Sequence, residues 1–432
     1  MRARAGSWLA GLCRLVGGVF FVACAGPVEP TGPNLLLITV DTLRADALEP
    51  YGSPAGSTPA IARLARESVV FEDAQSSASW TLPSFASLFT SQPVSTHGCA
   101  EFRVRLSDSF ETLAEMLVRQ GWDTAAVISQ TVVGRRHGLD QGFVHFDDAF
   151  VCGDDPAEQR VSSPYVSERA LRFLQAKAAA RDGRPWFLWL HLFDPHTAYQ
   201  LHPGFGLRLK TGSEEEKYAS EVAFTDDHVG RVLDKLGKLG LAENTVVVLT
   251  SDHGEEFGEH GGHGHAHSLY AELVHVPLVV RAPGIAPGRV AATVRMIDVY
   301  PTLCELLGLP VPESLAGASF LGALRGEALE QRPALAEMQA GEAGKSSLVL
   351  GEWKLIQDPA TTKVELYQRS VDPREVNDLA GEQPQIVRDL TSRLEAEKAR
   401  AVAGARAFGR AGEVVLGAEE VEELRALGYV GQ

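Results

Sequence analysis

The stretch "NLLLITVDT", residues 34–42, places an apolar run directly before an aspartate. Residues 35–40 are almost all apolar, which is typical of a parallel strand that is buried on both faces. Helical patterns separate this run from four similar ones further along the chain. The four similar runs are residues 124–129, 186–193, 245–251 and 276–282. This alternation predicts an α/β fold with a doubly wound, mostly parallel sheet.

The pattern changes near residue 320. Residues 33–319 carry the alternation of strands and helices, whereas the rest of the chain contains the short apolar segments "LVLGEWKLIQ" and "KVELYQ". Each segment predicts one short strand, and residues 384–407 predict a charged, alanine-rich helix. We therefore expect a main domain at 33–319 and a smaller C-terminal α+β subdomain at 320–432.

The N-terminal segment, residues 1–24, has the composition of an export signal. Arg2 and Arg4 precede an apolar run, and the segment closes with "FVAC", which resembles a bacterial lipobox ending at Cys24. Residues 25–32 are a proline-rich tether. These features predict an exported lipoprotein of the cell envelope or periplasm, with the lipid anchor on Cys24 as its only membrane contact. Ordinary secretion is the alternative.

The overall composition limits the classes of partner. The chain has 432 residues, of which 45% are hydrophobic and 22% are charged, as in an ordinary globular protein. Its net charge of −16 argues against a nucleic-acid partner, because such partners are bound by basic surfaces. Cys99, Cys152 and Cys304 allow at most one disulfide, and the absence of a C-x-x-C pair argues against a cysteine metal site. The sequence leaves the oligomeric state open.

Three of the predicted strands are followed by side chains that bind metals or exchange protons. These are Asp41-Thr42, Asp252-His253 and Asp194-Pro195-His196. Ligands of open α/β sheets bind beyond the carboxyl ends of the strands. Two strands that end in aspartate, one of them followed by histidine, favour a divalent metal site over simple helix caps.

Histidines cluster directly after one of these strands. Five of the thirteen histidines of the chain fall within fifteen residues: His253, His260, His263, His265 and His267. The cluster begins beside Asp252, so it favours a rim of the active site over a solvated surface loop. We expect two of the five to act in the reaction.

The segment "SWTLPSFASLFTS", residues 79–91, predicts a helix that begins near a threonine. Pro83 suits a first helical turn, and the apolar residues that follow it have helical spacing. Thr81 is then either a capping residue or a residue whose hydroxyl does chemistry.

Taken together, these segments resemble the sulfatases, a family within the alkaline-phosphatase superfamily. The first half of the chain carries "NLLLITVDTLRAD", "TLPSFASLFTS" and "FDPHTAY". The second half carries "TSDHGEEFGEHG", "SLYAELVHVPLVV", "MIDVYPTLCELLGLP" and "ELYQRSVDPREVNDLA". The resemblance covers nearly the whole chain after the tether, and it implies an enzyme that acts on ester bonds.

The resemblance also implies roles for particular residues. The implied metal ligands are Asp41, Thr42, Thr81, Asp252 and His253. The implied cofactor is one divalent metal ion: manganese, calcium, magnesium or zinc. Thr81 lies at the nucleophile position, His196 matches a histidine on the substrate side, and His265 takes the place of a basic group that is usually lysine.

The chain departs from the family at the same site. Sulfatases convert a cysteine or serine to formylglycine, and a proline and then an arginine follow that residue. Here Thr81 stands at the position, and Phe85 follows Ser84 where the arginine is expected. The family's lysine-containing segment is replaced by Ser129-Gln130-Thr131. We therefore expect no formylglycine.

Four hypotheses follow for the function. The leading one is a metal-dependent hydrolase or transferase of anionic esters, with phosphate mono- or diesters favoured over sulfate and Thr81 as the nucleophile. The second is a two-metal site in which Asp194, His196 and His265 hold another ion. The third is a sulfuric ester hydrolase without formylglycine, and the fourth is a non-catalytic, envelope-anchored binding protein. The expected substrate is a small-molecule or envelope ester.

Overall fold

The protein is described from a computed structural model, over residues 32–150, 161–180, 182–206, 211–339, 344–417 and 421. The predicted signal segment, Cys24 and nearly all of the tether lie outside these residues, and so does Cys152. Cys99 and Cys304 are buried free thiols. Among the helices of the described residues, none has the length and apolar character needed to cross a bilayer.

The strands are numbered in chain order over the described residues. They are β1 (Asn34–Val40), β2 (Val69–Gln75), β3 (Val104–Arg105), β4 (Asp123–Ile128), β5 (His145–Asp147), β6 (Trp186–Leu192), β7 (Thr245–Ser251), β8 (Glu256–Phe257), β9 (His263–Gly264), β10 (His275–Arg281), β11 (Gly288–Val290), β12 (Val294–Arg295), β13 (Ala334–Glu337), β14 (Ser346–Leu350), β15 (Trp353–Asp358), β16 (Lys363–Gln368) and β17 (Gly412–Glu413).

The α-helices are numbered in the same way. They are α1 (Pro59–Arg66), α2 (Thr81–Thr90), α3 (Val94–His97), α4 (Leu113–Arg119), α5 (Ser163–Ala180), α6 (Glu214–Lys238), α7 (Ala271–Val274), α8 (Val299–Leu306), α9 (Leu321–Leu324) and α10 (Pro384–Gly404).

The central sheet has nine strands among the described residues. Its order is β11-β2-β10-β7-β1-β6-β4-β5, and β12 also pairs with β2. Strand β1 lies between β6 and β7 and is parallel to both, whereas β10 is antiparallel to its neighbours β7 and β2. The predicted doubly wound, mostly parallel α/β fold is confirmed.

Helices cover both faces of this sheet because the side chains of each strand alternate between the faces. Leu35 and Leu37 of β1 pack in the cluster that holds α2, α4 and α8. Leu36 and Ile38 pack in the opposite cluster, with α1, α5 and α6. The central strands are therefore buried on both faces, as their continuous apolar runs predict.

The C-terminal part is a second, smaller α+β layer, as predicted. Strands β13 to β16 form a four-stranded antiparallel sheet, and leucines from β14, β15 and β16 pack against α10. Phe320 and Leu321 pack in the core of the main domain, whereas the first strand of this sheet begins at Ala334. The limits of the two domains, 33–319 and 320–432, stay predictions.

One strand prediction in this region is wrong. The segment "LVLGEWKLIQ" holds two strands, β14 and β15, instead of one. Leu350 pairs with Trp353, so Gly351 and Glu352 form a two-residue hairpin loop. Gly351 has a φ of 59°, which a glycine adopts without steric strain. The glycine in the middle of the apolar segment was the signal for this turn.

Candidate active site

Asp41 and Asp252 lie side by side because the strands that carry them pair in parallel register. Val40 of β1 is opposite Ser251 of β7, so the next residue of each strand is an aspartate. Ser251 Oγ donates to the Val40 carbonyl at 2.8 Å and accepts from the Leu43 N–H at 3.0 Å. These bonds join the two strand ends, and both aspartates are buried there.

His253 follows Asp252 and presents one defined ring nitrogen to the carboxylates. Its Nδ1 donates to the Gly254 carbonyl at 2.8 Å, so Nε2 faces Asp252 Oδ2 at 3.3 Å and Asp41 Oδ1 at 3.7 Å. Burial lowers the pKa of His253, but the two neighbouring carboxylates raise it above its ordinary value. Gly254 allows the turn, because a Cβ there would lie 2.0 Å from the Glu272 carbonyl oxygen.

These residues fit a divalent metal ion. Asp41 Oδ1 and Oδ2, Thr42 Oγ1 and Asp252 Oδ2 are buried oxygens without an ordinary hydrogen bond. One ligand atom from each of Asp41, Asp252 and His253 lies within 4.8 Å of the others. Buried carboxylates require a partner of opposite charge, and oxygen and imidazole ligands suit a divalent cation.

The electrostatics of Asp41 lead to the same conclusion. Burial raises the pKa of Asp41 well above its ordinary value, and the charge of Asp252 raises it further. His253 and the side chain of Gln130 act in the opposite direction. A bound cation would reverse this balance and keep the Asp41 carboxylate ionised.

Thr42 adopts a rare backbone conformation beside this cluster. Its φ is 52°, which is costly for a β-branched residue. The Tyr218 hydroxyl donates to the Thr42 carbonyl at 2.9 Å, and Tyr218 is itself buried. The turn after β1 is thus tied to α6, and the Thr42 hydroxyl at this turn is buried without an ordinary hydrogen bond.

Thr81 belongs to the cluster through a direct contact. Its Oγ1 lies 3.2 Å from His253 Nε2, and the residue is fully buried. Of the two roles considered for Thr81, capping is wrong, because the N-cap of α2 is Trp80 and Thr81 is the first helical residue. Phe85 lies one turn later on the same side of α2 and packs at 4.8 Å, between ring centroids, against His191 of β6.

His265 lies beside the metal-ligand cluster and is oriented by a carboxylate. Its ring centroid is 4.6 Å from that of His253, and its Nδ1 lies 2.8 Å from Glu255 Oε1. The Tyr199 hydroxyl donates to the other oxygen, Glu255 Oε2, at 2.7 Å. Burial, followed by the charges of His253 and His267, lowers the pKa of His265 well below its ordinary value.

His196 faces His265 from the segment after β6. The two ring centroids are 4.8 Å apart, and His196 Nδ1 lies 2.9 Å from the Thr197 carbonyl oxygen. Burial, and then the charge of His265, lowers the pKa of His196 to about 3. Both imidazoles are therefore neutral near pH 7, with Nδ1 held by an oxygen atom.

The Asp194 side chain does not face His196 and His265. The two-metal hypothesis therefore lacks the carboxylate ligand that it requires. Both oxygens of Asp194 accept hydrogen bonds from the start of α5, including the Ser163 N–H at 2.7 Å and the Ser162 N–H at 3.1 Å. The carboxylate stabilises this helix N-terminus, a common structural role of aspartate.

The other histidines of the cluster lie at its rim. His260 Nδ1 contacts Glu272 Oε1 at 2.7 Å, and its Nε2 contacts the Glu375 carbonyl oxygen at 3.0 Å. His267 pairs with Glu256 at 2.7 Å, and His263 is exposed. Glu256, His260 and Glu272 form a second group of acidic and histidine side chains. Hydrogen bonds within the protein account for the positions of these side chains.

Sequence reasoning missed two residues of the site. His191 of β6 is fully buried, and its Nε2 lies 3.4 Å from Asp41 Oδ2. Gln130 follows β4 and is buried near Asp41. The sequence held no local signal for His191, because only the pairing of β1 with β6 places Thr39 opposite His191, on the face that Asp41 shares.

The sheet and its cluster at the ends of β1 and β7 define the alkaline-phosphatase class of fold. The sulfatase family model matches residues 33–309, and the model of the C-terminal part of N-sulphoglucosamine sulphohydrolase matches residues 258–400. The chain belongs to the sulfatase family, so the predicted family is confirmed. The family is one of ester-bond hydrolases.

Individual relatives match parts of the chain or share its fold. Arylsulfatase K of Mus musculus is 36% identical over 190 residues, which are 41% of this chain and 34% of that protein. The chain thus spans about a third of that relative. The structure of a 2-O GAG sulfatase has a TM-score of 0.74 and 20% identity, covering 92% of this chain and 96% of that chain. A phosphonate monoester hydrolase of Agrobacterium radiobacter has a TM-score of 0.69 and 19% identity, covering 85% and 96%.

Proposed function

We propose that this chain is a metal-dependent hydrolase or transferase of anionic esters that uses Thr81 as its nucleophile. Phosphate mono- or diesters are the favoured substrates. The observation that carries the proposal is the position of the Thr81 hydroxyl, 3.2 Å from His253 Nε2 and beside the buried carboxylates. A threonine that served only as a helix start needs no such neighbours.

The metal ion would be held by Asp41, Asp252 and His253, with the hydroxyls of Thr42 and Thr81 nearby. When bound, a divalent ion supplies positive charge that lowers the pKa of a nearby hydroxyl and polarises the ester. The chain itself fixes the direction of the ligands. The bond between His253 Nδ1 and the Gly254 carbonyl aims Nε2 at the carboxylates.

Thr81 attacks from the first position of a ten-residue helix. The N–H groups of a first helical turn lack helical partners, and the helix dipole favours negative charge at this end. The anionic oxygens of the substrate are thereby placed close to the threonine hydroxyl. The resulting Thr81 ester is then hydrolysed or transferred to an acceptor.

His265 is the group that serves the leaving oxygen. Because Nδ1 is bound to Glu255, Nε2 is the nitrogen that accepts the proton released by the Thr81 hydroxyl and then donates it to the leaving oxygen. The Glu255 carboxylate stabilises the imidazolium when that nitrogen gains a proton, and Tyr199 fixes the carboxylate. His196 packs against the same ring and contributes a second neutral imidazole on the substrate side.

The preference for phosphate over sulfate depends on the nucleophile. Formylglycine chemistry needs a cysteine or serine, and Thr81 supplies neither. A threonine alkoxide forms a phosphoester by direct displacement, which requires no modified residue. Sulfuric ester hydrolysis by the same threonine is the second candidate, because the family relatives include sulfatases.

The test is a panel of aryl phosphate monoesters, phosphodiesters, phosphonate monoesters and sulfate esters, assayed with purified chain lacking residues 1–24. Each substrate is measured with manganese, calcium, magnesium or zinc and after chelation. We expect metal-dependent turnover, with a phosphate or phosphonate ester preferred. Turnover of sulfate esters alone would support the second candidate. No turnover and no bound metal would support an envelope binding protein.

We also propose that the protein is anchored in the cell envelope through Cys24, on the basis of residues 1–24. Radiolabelled palmitate should enter the wild-type protein in a bacterial host but not a Cys24→Ser variant. Equal labelling of the two would contradict the anchor.

A further inference from the structure

The β-hairpin of residues 256–264 joins two residues that the proposed reaction uses. Strands β8 and β9 pair antiparallel, and His260 lies in the turn between them. Glu255 directly precedes this hairpin, and His265 directly follows it. Their side chains contact each other at 2.8 Å, between Oε1 and Nδ1. Whatever holds the hairpin in place therefore also holds the contact that orients His265.

His260 meets an oxygen atom with each of its ring nitrogens. Its Nδ1 lies 2.7 Å from Glu272 Oε1 on α7, and its Nε2 lies 3.0 Å from the carbonyl oxygen of Glu375. A backbone carbonyl only accepts hydrogen bonds, as an ionised carboxylate does. Both contacts are hydrogen bonds at once only if the pair of His260 and Glu272 holds one proton more than a neutral imidazole and a carboxylate do. The geometry is thus that of a protonated pair.

The surroundings of His260 stabilise this additional proton. The ring stacks on Tyr270 at 3.7 Å between centroids, and only 12% of the side chain is exposed. Burial lowers the pKa of His260, but its bonds to Glu272 and Glu375 outweigh burial and raise the pKa above the ordinary value of 6.5. Burial raises the pKa of Glu272 as well, which keeps the proton within the pair. The charged and titratable groups that face the ring or its direct neighbours are Glu256, Tyr270, Glu272, Lys354, Glu365 and Glu375.

The two oxygen partners of His260 belong to different parts of the fold. Glu272 precedes β10 of the central sheet, whereas Glu375 follows β16 of the C-terminal sheet. Glu375 is itself fixed, because its Oε2 accepts from the Lys354 ammonium and from the Ala271 N–H, both at 2.9 Å. If the pair loses its additional proton, one ring nitrogen presents a lone pair to an acceptor oxygen, and that hydrogen bond is lost. The turn of the hairpin is then held on one side only.

We propose that His260 is a pH-dependent latch, whose protonated ring holds the turn of the hairpin against α7 and the C-terminal sheet and whose deprotonation releases the turn. The effect of this latch on catalysis rests on the proposed function of His265. Because the proton is bound more tightly in the folded state, the stabilisation is complete below about pH 6.5 and is lost as the pH rises through the raised pKa. The ion pair of Arg44 with Glu259 in the same turn keeps its charges in this range, so the hairpin loosens without detaching.

The test is hydrogen exchange of the backbone amides of residues 256–264 in the full chain, measured between about pH 5 and about pH 9 and corrected for the intrinsic exchange rate. His260→Gln keeps a polar side chain but cannot take up the proton. Glu272→Gln leaves His260 in place and removes its carboxylate partner. His263→Gln is the matched control, because His263 is an exposed histidine of the same hairpin. Thermal melting of each variant checks its folding.

We expect the protection of these amides in the wild type and in His263→Gln to fall about 10–100-fold as the pH rises, which corresponds to the loss of one hydrogen bond to a charged group. His260→Gln should begin with the lower protection and show no such fall, and Glu272→Gln should show the fall at lower pH. Protection that does not vary with pH in the wild type, or the same fall in His260→Gln, would overturn the latch.

Kinetics then separate the latch from the proposed function. On the preferred ester, kcat/KM of the wild type should decrease over the pH range in which protection falls, and this decrease should be absent from His260→Gln. A decrease that His260→Gln retains would overturn the link between the latch and His265. Exchange needs no substrate, so a failure to turn over any ester contradicts the proposed function, while the pH dependence of exchange still decides the latch.

Discussion

At the scale of single residues, the hydroxyl of Thr81 carries the proposed chemistry. Thr81→Ala should reduce kcat on the preferred ester on the order of 10⁶-fold, the loss found when a hydrolase loses its nucleophile. Thr81→Ser keeps the hydroxyl at the same helical position and should retain part of the activity. Steady-state kinetics of the two variants measure the difference. Equal activity of Thr81→Ala and wild type would remove Thr81 from the mechanism.

His265 should matter most when the leaving group is poor. His265→Asn retains a polar group for Glu255 but removes Nε2, so the rate should fall by about 10²–10⁴-fold for alkyl or weakly acidic phenol leaving groups. The loss should be smaller for activated aryl esters, which need no proton. His263→Asn, an exposed change in the same loop, is the control. An equal loss across all leaving groups would argue against proton transfer by His265.

The sequence predicted Asp41, Asp252 and His253 because each directly follows a buried strand, where ligands of such sheets collect. His191 was not predicted because it lies inside the apolar run of β6, where a histidine is indistinguishable from a core residue. Its position next to Asp41 depends on the pairing of β1 with β6, which no local pattern contains. The role of Asp194 at the start of α5 likewise required tertiary contacts.

At the scale of elements, an ion pair joins the C-terminal sheet to the central one. Arg369 follows β16 and makes a bidentate contact with Asp73 of β2, at 2.9 and 2.5 Å, with both side chains about 15% exposed. Arg369→Met should lower the free energy of unfolding by about 3–5 kcal/mol, because it leaves the Asp73 charge buried without its partner. Urea denaturation measures this loss. The exposed pair Arg231–Asp227 is the control, and Arg231→Met should cost less than about 1 kcal/mol.

The same pair predicts a pH dependence. Burial raises the pKa of Asp73, but the Arg369 contacts outweigh it and hold the pKa below its ordinary value of 3.8. The folded state therefore binds a proton less readily than the unfolded state. The stabilisation is complete above about pH 4 and decreases as the pH falls further. The difference in unfolding free energy between wild type and Arg369→Met should therefore shrink as the pH falls below about 4. A constant difference would contradict this explanation.

Element prediction succeeded where the periodicity was long and failed where a turn was short. The pattern over residues 384–407 predicted a helix where α10 lies, whereas β14 and β15 were merged. A two-residue hairpin loop interrupts an apolar run so briefly that the pattern alone suggests one strand. The helix that begins near Thr81 was predicted, but capping by Thr81 was the wrong alternative, because the N-cap is Trp80, an uncommon residue at that position.

At the scale of the whole molecule, the smaller sheet supports the active-site loops. The Lys354 ammonium of β15 and the Ala271 N–H of α7 both bond to Glu375 Oε2 at 2.9 Å. The Glu375 carbonyl oxygen accepts from His260 at 3.0 Å. Lys354 and Glu375 are almost completely buried. The loop that follows His253 is thus held against the C-terminal part, which links the two layers to one site.

Metal binding should stabilise the whole fold. The ligands come from separated segments of the chain, so the unfolded chain has no preformed site. At a free metal concentration of about 100 times Kd, the gain is about 2.7 kcal/mol, and chelation should lower Tm accordingly. Differential scanning calorimetry with and without chelator measures the change. Asp252→Asn should abolish the metal-dependent part, and a Tm insensitive to chelation in the wild type would contradict the metal site.

The central claim is that Thr81 forms a covalent ester with the group it transfers. The direct measurement is mass spectrometry of the peptide containing residues 79–91, after rapid acid quenching during turnover of the preferred aryl phosphate. The account predicts a phosphoryl group on Thr81 in the wild type. If His265 also assists hydrolysis of the Thr81 ester, the modified fraction of the peptide should be higher in His265→Asn than in the wild type. Turnover at the full rate with no modified peptide at any quench time would contradict it.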